Sequence, residues 1–220
     1  MRYHLATSGI LAAWETGAAR QPLDRALAIL WAAGAAQDCD PADLPLGERD
    51  ARLLSIRANS FGPVMPARAL CPACDAEMEM DLNAEDLAQA LAQSGGGDAA
   101  WRPLTSRDLA AVADQDGDAV IDTLRRRLGI DEADTDKIAH QIEALATAAE
   151  LSTQITCAAC DTDWTETLDV AAHVWADIST ATQRLLGEVA DLAAAFGWSE
   201  ADILSLSPAR RAVYLDRVQS

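Results

Sequence analysis

The sequence predicts a mostly α-helical protein with a small β zinc ribbon, an α+β fold in which two Cys-x-x-Cys knuckles flank a helical insertion. Three observations lead to this fold class. Apolar residues recur at helical spacing through most of the 220 residues. Cys71 and Cys74 form one closely spaced pair, and Cys157 and Cys160 form a second. After each pair the apolar period changes from that of a helix to that of a strand.

The N-terminal region, residues 1–65, is predicted to consist of helices separated by short breaks. Ser8 is placed to cap the first helix, and Pro22 begins a second helix whose apolar residues recur every three or four positions. A third helix is expected to end at Gly62, which is followed by a proline. We expect Trp31, on the apolar face of the second helix, to lie in the core.

Each cysteine pair is followed by a strand and then a helix, which predicts the two halves of a zinc ribbon at residues 66–94 and 152–172. Residues 77–82 alternate acidic and apolar side chains, as a half-buried strand does, and residues 164–170 show a looser form of this pattern. A helix is expected after each strand. The chain therefore contains a weak internal repeat of cysteine pair, acidic residue, strand and helix.

The remaining segments are predicted to be helical. A glycine-rich stretch opens an insertion rich in alanine and acid, residues 95–151, which separates the two ribbon halves. Residues 173–220 form the C-terminal helices. The first of these is expected to end at Gly197, Ser199 caps a short second helix, and Pro208 stands at the first position of the last.

Cys71, Cys74, Cys157 and Cys160 are predicted to bind one structural zinc ion per chain. Two residues between thiols allow both sulfurs of a knuckle to reach the same tetrahedral ion, and two knuckles complete a four-sulfur shell. Such a shell leaves no coordination position for water or substrate, so no catalytic residue is assigned. The separation between the pairs exceeds that of short zinc fingers, and an insertion between ribbon halves accounts for it.

Two other interpretations of the cysteines stay open. A Cys-x-x-Cys pair can be a redox-active dithiol, and the proline inside the first pair is suggestive of one. An acidic strand follows Cys74, however, and acidic neighbours raise the pKa of a thiol. The second interpretation is a set of buried thiols without metal. Cys39 has no partner at ligand spacing and is expected to be a free thiol.

The net charge of −18, from 35 acidic and 17 basic residues, limits the partners to be expected. Such a chain repels phosphate backbones and anionic lipids, so neither nucleic acid binding nor membrane insertion is expected. No motif for a small-molecule substrate occurs. A protein surface with basic residues is the better partner, although the acidity also serves solubility alone.

Targeting segments and C-terminal arginines are the last features that the residues themselves indicate. There is no secretory signal and no apolar run of membrane length, so synthesis in the cytoplasm is expected. Arg210 and Arg211 are candidate partner contacts, but solvated charges on a helix are the simpler interpretation.

Several short motifs also follow one another in a characteristic order. They are LGERD at 46–50, LLSIR at 53–57, FGP at 61–63, the first cysteine pair after Leu70, LTSRDL at 104–109, the second cysteine pair, VWADI at 174–178, GWSEADIL at 197–204, and LSPARR at 206–211 before Tyr214 and Leu215. In this order they resemble a family of contractile-tail baseplate proteins of phages and contractile injection systems, related to the T-even-phage baseplate hub assembly chaperone. The four cysteines match the zinc knuckles of that family.

The resemblance implies a non-enzymatic structural component or hub-assembly factor of a baseplate. The partners it implies are other baseplate, hub, spike or tube proteins, and it implies incorporation into a phage tail or an injection particle. The alternative is a zinc-ribbon adaptor or regulator that acts between proteins outside any tail particle. A third hypothesis, an enzyme that uses a thiol pair, is the one that reactive cysteines would favour.

Overall fold

The computed structural model of the chain describes residues 3–35, 39–94, 101–131 and 134–218. Within these residues the fold is mostly helical with two small two-stranded antiparallel sheets, which confirms the predicted fold class at this level. The elements in chain order are α1 (Thr7–Gly17), α2 (Pro22–Ala32), a short 3-10 helix (Pro41–Asp43), α3 (Leu46–Phe61), β1 (Val64–Leu70), β2 (Glu77–Asn83), α4 (Ala84–Ser94), α5 (Ser106–Val112), α6 (Asp118–Leu128), α7 (Thr135–Thr147), β3 (Leu151–Thr156), β4 (Asp163–Leu168), α8 (Val170–Phe196), α9 (Glu200–Ser205) and α10 (Pro208–Val218). No helix in these described ranges has both the length and the apolar character that crossing a membrane requires.

The main hydrophobic core lies between the N-terminal helices and the first half of α8. α1 and α2 pack as a pair and both contact α8, while α3 packs along α4 and also against α8. Ile29, Leu53, Ile56, Val174 and Ile178 are fully buried in this core. Burial of a side chain of this size contributes roughly 1.5–3 kcal/mol. The core therefore joins the N-terminal helices to α8 and holds the segments that carry the cysteines.

A second core belongs to the insertion, where α5, α6 and α7 enclose their own apolar cluster. Its buried members are Leu46, Leu104, Leu124, Leu128, Ile130, Ile138 and Ile142. Leu46 comes from the start of α3 rather than from the insertion, and its backbone N–H donates to the carbonyl of Leu104 at 2.9 Å. The insertion is therefore attached to the N-terminal end of α3.

Gly62 and Gly197 lie at the ends of helices, and Ser199 lies at the start of one, as the sequence predicts. Gly62, at φ +96°, follows the last residue of α3, and Gly197, at φ +67°, follows the last residue of α8. Both conformations are disfavoured for residues with a side chain. At the start of α9 the hydroxyl of Ser199 accepts a hydrogen bond from the N–H of Asp202 at 3.2 Å.

Three predictions about individual side chains are wrong. Ser8 does not cap α1, because that helix begins at Thr7 and its capping residue makes no side-chain hydrogen bond. Trp31 is 56% exposed, because α2 turns the two residues before it towards the core. Arg211 is buried rather than solvated and donates to the carboxylate of Glu188 at 3.1 Å.

Candidate metal centre

Two β-hairpins hold the four cysteines. β1 pairs with β2 in the first hairpin and β3 with β4 in the second, both antiparallel. Cys71 and Cys74 lie in the turn of the first hairpin, and Cys157 and Cys160 lie in the turn of the second. The sequence predicts β2 and β4, whereas β1 and β3, which precede the cysteines, were not predicted.

The two turns have the same backbone geometry. In the first, the N–H of Cys71 donates to the carbonyl of Ala76 at 3.0 Å, and the N–H of Asp75 donates to the carbonyl of Cys71 at 2.9 Å. The N–H groups of Cys157 and Asp161 make the equivalent bonds in the second turn, both at 2.9 Å. Asp75 and Asp161 have φ values of 56° and 55°, in the left-handed region that aspartate tolerates better than most residues. Each turn is therefore tight and brings its two cysteines close together.

The four Sγ atoms form one cluster. All of them lie within 4.8 Å of one another. Two of the distances join the hairpins: Cys71 Sγ to Cys160 Sγ is 3.6 Å, and Cys74 Sγ to Cys157 Sγ is 3.7 Å. Sulfurs at the corners of a tetrahedron with metal–sulfur bonds of about 2.3 Å are about 3.8 Å apart. The cluster therefore has nearly the size of a four-thiolate metal shell, and the four cysteines can bind a metal ion.

The cysteines of each pair differ in exposure. Cys71 and Cys157, the first of each pair, are fully buried, whereas Cys74 and Cys160 are exposed. Each hairpin therefore contributes one inner and one outer sulfur. A cation can reach the cluster from solvent on the outer side, while the inner sulfurs stay shielded.

Hydrogen bonds in the two turns and contacts among the thiols shift the pKa values of Cys160 and Cys74 in opposite directions. The pKa of Cys160 is lowered to about 6, first by hydrogen bonds with the side chain and backbone of Thr162 and then by the contact with Cys74. For Cys74 a backbone hydrogen bond at Ala76 acts to lower the pKa, but the contacts with Cys160 and Cys71 outweigh it and raise the pKa to about 12. The sulfurs of Cys71 and Cys160, and those of Cys74 and Cys157, are close enough for one cation to bind them together.

The internal repeat extends beyond the cysteines. After the first hairpin the side chain of Asn83 accepts a hydrogen bond from the N–H of Glu85 at 2.9 Å and caps α4. After the second, the side chain of Asp169 accepts one from the N–H of Ala172 at 2.9 Å and caps α8. Cysteines, left-handed aspartates and helix caps all recur at one constant interval along the chain. The site is therefore made of two matching copies of one unit.

The remaining metal-ligand residues are dispersed in the part of the chain that the structure describes. There, the four cysteines are the one group of three or more Cys, His, Asp or Glu side chains with ligand atoms close enough to hold a metal ion. Cys39 is exposed and lies outside this group, as expected for a free thiol.

Sequence analysis missed an ion-pair network that organises the insertion. Arg102 donates to both carboxylate oxygens of the fully buried Asp108, at 2.6 and 2.9 Å, and Arg127 donates to one of them at 2.7 Å. Thr105 adds a reciprocal capping box. Burial acts to raise the pKa of Asp108, but the hydrogen bonds from Arg102, Arg127 and Thr105 outweigh it and hold the pKa well below its usual value. The spacing of Thr105 and Asp108 was the available signal.

Two buried arginines of α3 were also missed. Arg57 is 4% exposed, donates to Asp177 on α8 at 2.9 Å and also bonds the carbonyl of Gly62. Arg49 pairs with its neighbour in α3 and reaches Ser106 Oγ of the insertion at 3.3 Å. α3 is thus tied to α8 at one end and to the insertion at the other.

No protein-family model, no curated protein and no solved structure matches this chain. Its chemistry is therefore inferred from the geometry above and from the motifs in its sequence.

Proposed function

We propose that the four cysteines bind one zinc ion per chain and that this ion is structural. The proposal is carried by the four-sulfur cluster, which is assembled from two hairpins far apart in the chain. Tetrahedral sites with four thiolates suit zinc or an iron–sulfur centre, and among single ions zinc is the usual occupant. A closed shell leaves no position for a substrate, which supports a non-enzymatic role.

The second hairpin buries few side chains of its own, so a metal ion would stabilise it. Between residues 151 and 168, Ile155 is the one buried side chain apart from Cys157. An isolated two-stranded hairpin is marginally stable in water. A structural zinc site contributes roughly 10–16 kcal/mol to folding, which is enough to hold both hairpins in place.

Metal analysis tests this assignment directly. The protein is purified without added metal or chelator, and its metal content per chain is measured by mass spectrometry. One zinc per chain is expected, and cobalt exchanged into the site should give the visible spectrum of tetrahedral thiolate coordination. A metal-free protein, or one with the spectrum of an iron–sulfur cluster, would contradict the proposal.

We propose further that the chain is a structural component or hub-assembly factor of a contractile-tail baseplate. What supports this is where the motifs of the resemblance lie in the fold. Residues 46–50 contact residues 104–109 through the Leu46–Leu104 backbone hydrogen bond. Arg57 of the segment 53–57 pairs with Asp177 of the segment 174–178.

These contacts place several of the motifs at junctions between elements of the fold. Here the motif residues form the buried contacts that join α3, the insertion and α8, and the cysteine pairs form the cluster. A rigid scaffold of this kind, fixed by a metal, suits a platform in which many proteins meet.

Sedimentation of the tagged protein from its producing cells tests the baseplate role. The lysate is separated on a gradient, and the proteins in each fraction are identified by mass spectrometry. A structural component travels with sheath, tube and spike proteins at a fixed ratio. An assembly factor stays in light fractions bound to a hub protein. Recovery in light fractions without any tail protein would refute both forms and favour the adaptor outside a tail particle.

A matched pair of variants connects the metal to this role. Cys74→Ser removes an outer ligand, whereas Cys39→Ser removes an exposed thiol outside the cluster. If the metal shapes the binding surface, only Cys74→Ser should lose its place in the particle or its hub partner.

A further inference from the structure

An aromatic cluster lies at the surface where α8, α9 and α10 meet. The rings of Phe196, Trp198 and Tyr214 contact one another in all three pairs, with centroid distances of 4.8, 5.8 and 4.9 Å. Gly197 has φ +67°, and the chain reversal it makes stacks Phe196 on Trp198 with planes 21° apart. Phe196 remains 41% exposed. The cluster therefore presents apolar area to solvent.

The outer face of α10 extends this apolar area and flanks it with positive charge. Arg210, Val213, Tyr214, Arg217 and Val218 are spaced so that they share one side of the helix. Val213 is 55% exposed and Val218 is 38% exposed. Both arginines are exposed, and neither has an ion-pair partner among the described residues. We call this face and the aromatic cluster together the α10 surface.

The opposite side of α10 is firmly anchored. Arg211 is 4% exposed, donates to Glu188 of α8 at 3.1 Å and donates to the carbonyl of Leu206 at 2.8 Å. These contacts fix the helix, and the ring contacts fix the aromatic side chains. A surface that is already ordered loses little conformational entropy when a partner binds.

The charge of the α10 surface is opposite to that of the protein. The chain carries −18, yet the exposed charges of α10 are Arg210, Arg217 and one acid, Asp216, because Arg211 is buried against Glu188. Tryptophan, tyrosine and arginine are the residues that most often dominate binding energy at interfaces. An apolar centre flanked by arginines matches a partner with apolar side chains flanked by carboxylates.

We propose that the α10 surface binds an acidic amphipathic segment of a partner protein. The apolar side chains of the segment cover the aromatic cluster and Val213, and its carboxylates pair with Arg210 and Arg217. Aromatic and arginine side chains also bind single-stranded nucleic acid, but a nucleic acid carries a negative charge at every phosphate, so the overall charge of −18 repels it more strongly than a short segment with a few carboxylates. The proposal rests neither on the zinc ion nor on the baseplate role.

Fluorine NMR of the full chain tests this surface. The tryptophans are replaced by 5-fluorotryptophan, and the Trp198 resonance is assigned with Trp198→Phe. The probe is a synthetic peptide of about 15 residues, long enough to become helical, with leucines on one face and glutamates beside them. A second peptide has lysine in place of every glutamate. The glutamate peptide should shift the Trp198 resonance saturably and bind at least about tenfold more tightly than the lysine peptide.

Charge reversal in the protein should reverse this preference. Arg210→Glu with Arg217→Glu should weaken binding of the glutamate peptide about tenfold and strengthen binding of the lysine peptide. The matched control is Arg20→Glu with Arg126→Glu, which makes the same change in net charge at two exposed arginines elsewhere. The control should bind as the unmodified protein does, and thermal melting of both variants verifies that they fold.

Four results would overturn the proposal. Equal binding of the two peptides would mean general apolar adhesion, and binding of neither would mean that the surface takes no segment of this kind. A larger shift of Trp198 with a short oligothymidylate would assign the surface to nucleic acid. A shift that depends on protein concentration alone, with a dimer in sedimentation, would assign it to a second copy of the chain.

Discussion

Replacement of the outer ligand Cys160 by serine should weaken metal binding without unfolding the main core. A four-thiolate zinc site contributes roughly 10–16 kcal/mol, so each of four ligands accounts for about 2.5–4 kcal/mol. That loss corresponds to an affinity lower by about 10²–10³. Cys157→Ser should cost about 1–3 kcal/mol more, because Cys157 is fully buried and a hydroxyl there lacks a solvent partner.

The assay is competition for zinc with a chromophoric chelator, together with hydrogen exchange of the backbone amides. The affinity of each serine variant is read from the chelator. After metal loss, the amides of β3 and β4 next to the turn should exchange faster, because Ile155 is the one fully buried apolar side chain of these strands. Leu151 and Leu168, which pack on the main core, lie at the other end of the hairpin. The amides of α2 and α3 should keep their protection, since the main core contains no cysteine.

Two results would refute this reasoning. One is a Cys160→Ser variant that binds zinc as tightly as the unmodified protein. The other is a loss of affinity of the same size in Cys39→Ser, which lies outside the cluster. Equal losses of affinity in Cys157→Ser and Cys160→Ser would still agree with metal binding by four cysteines. They would contradict the extra cost that we expect from the burial of Cys157.

Three further perturbations have expected outcomes of known sign. Gly17→Ala should destabilise the protein by about 1–3 kcal/mol in chemical denaturation, because a Cβ there would lie 2.6 Å from the ring of Trp175. Asp108→Asn should cost about 2–3 kcal/mol, less than the 3–5 kcal/mol of a fully buried pair because its arginine partners are partly exposed. Because the pKa of Asp108 is lowered on folding, its contribution is complete above about pH 4 and is lost as the pH falls further. An alkylating agent should modify Cys39 at once but the outer cluster thiols only after chelation.

Each of these has an internal control. Gly187→Ala lies inside α8 with no atom within 4 Å of the new Cβ, and it should stabilise the protein by roughly 0.5–1 kcal/mol. If both alanine variants destabilise equally, the contact with Trp175 is not the cause. Asp114→Asn makes the same substitution at an exposed carboxylate and should leave stability unchanged. Rapid alkylation of Cys74 in the metal-loaded protein would favour the redox-active thiol pair instead.

Local features of the fold were accessible from the sequence, because their causes are local. The spacing of each cysteine pair predicts a knuckle that the backbone forms with two hydrogen bonds. The alternation in β2 predicts a strand, and Gly197 and Ser199 predict the end of one helix and the start of the next. Each of these signals acts within a few residues of the structure that it produces.

The features that sequence analysis missed depend on distant partners. β1 contains Pro66 and several small residues, and β3 is mostly polar, so neither has the alternation of a half-buried strand. They become strands because each pairs across its turn with a strand that does. Arg57 can be buried because it donates a hydrogen bond to Asp177, which lies 120 residues away in the sequence. In the sequence, Arg211 looks like an ordinary surface arginine. Its ion pair with Glu188 of α8 becomes evident only in the folded chain.

The division of the sulfur cluster between two hairpins has a consequence for synthesis on the ribosome. The 83 residues from Cys74 to Cys157 take on the order of 4–17 s to translate at about 5–20 residues per second. During that time the nascent chain offers two ligands, half of a tetrahedral shell. A nascent chain that stops before Cys157 can bind a metal ion only weakly, or together with two cysteines of a neighbouring chain. One chain can therefore bind the metal ion tightly by itself only after the second hairpin has been translated.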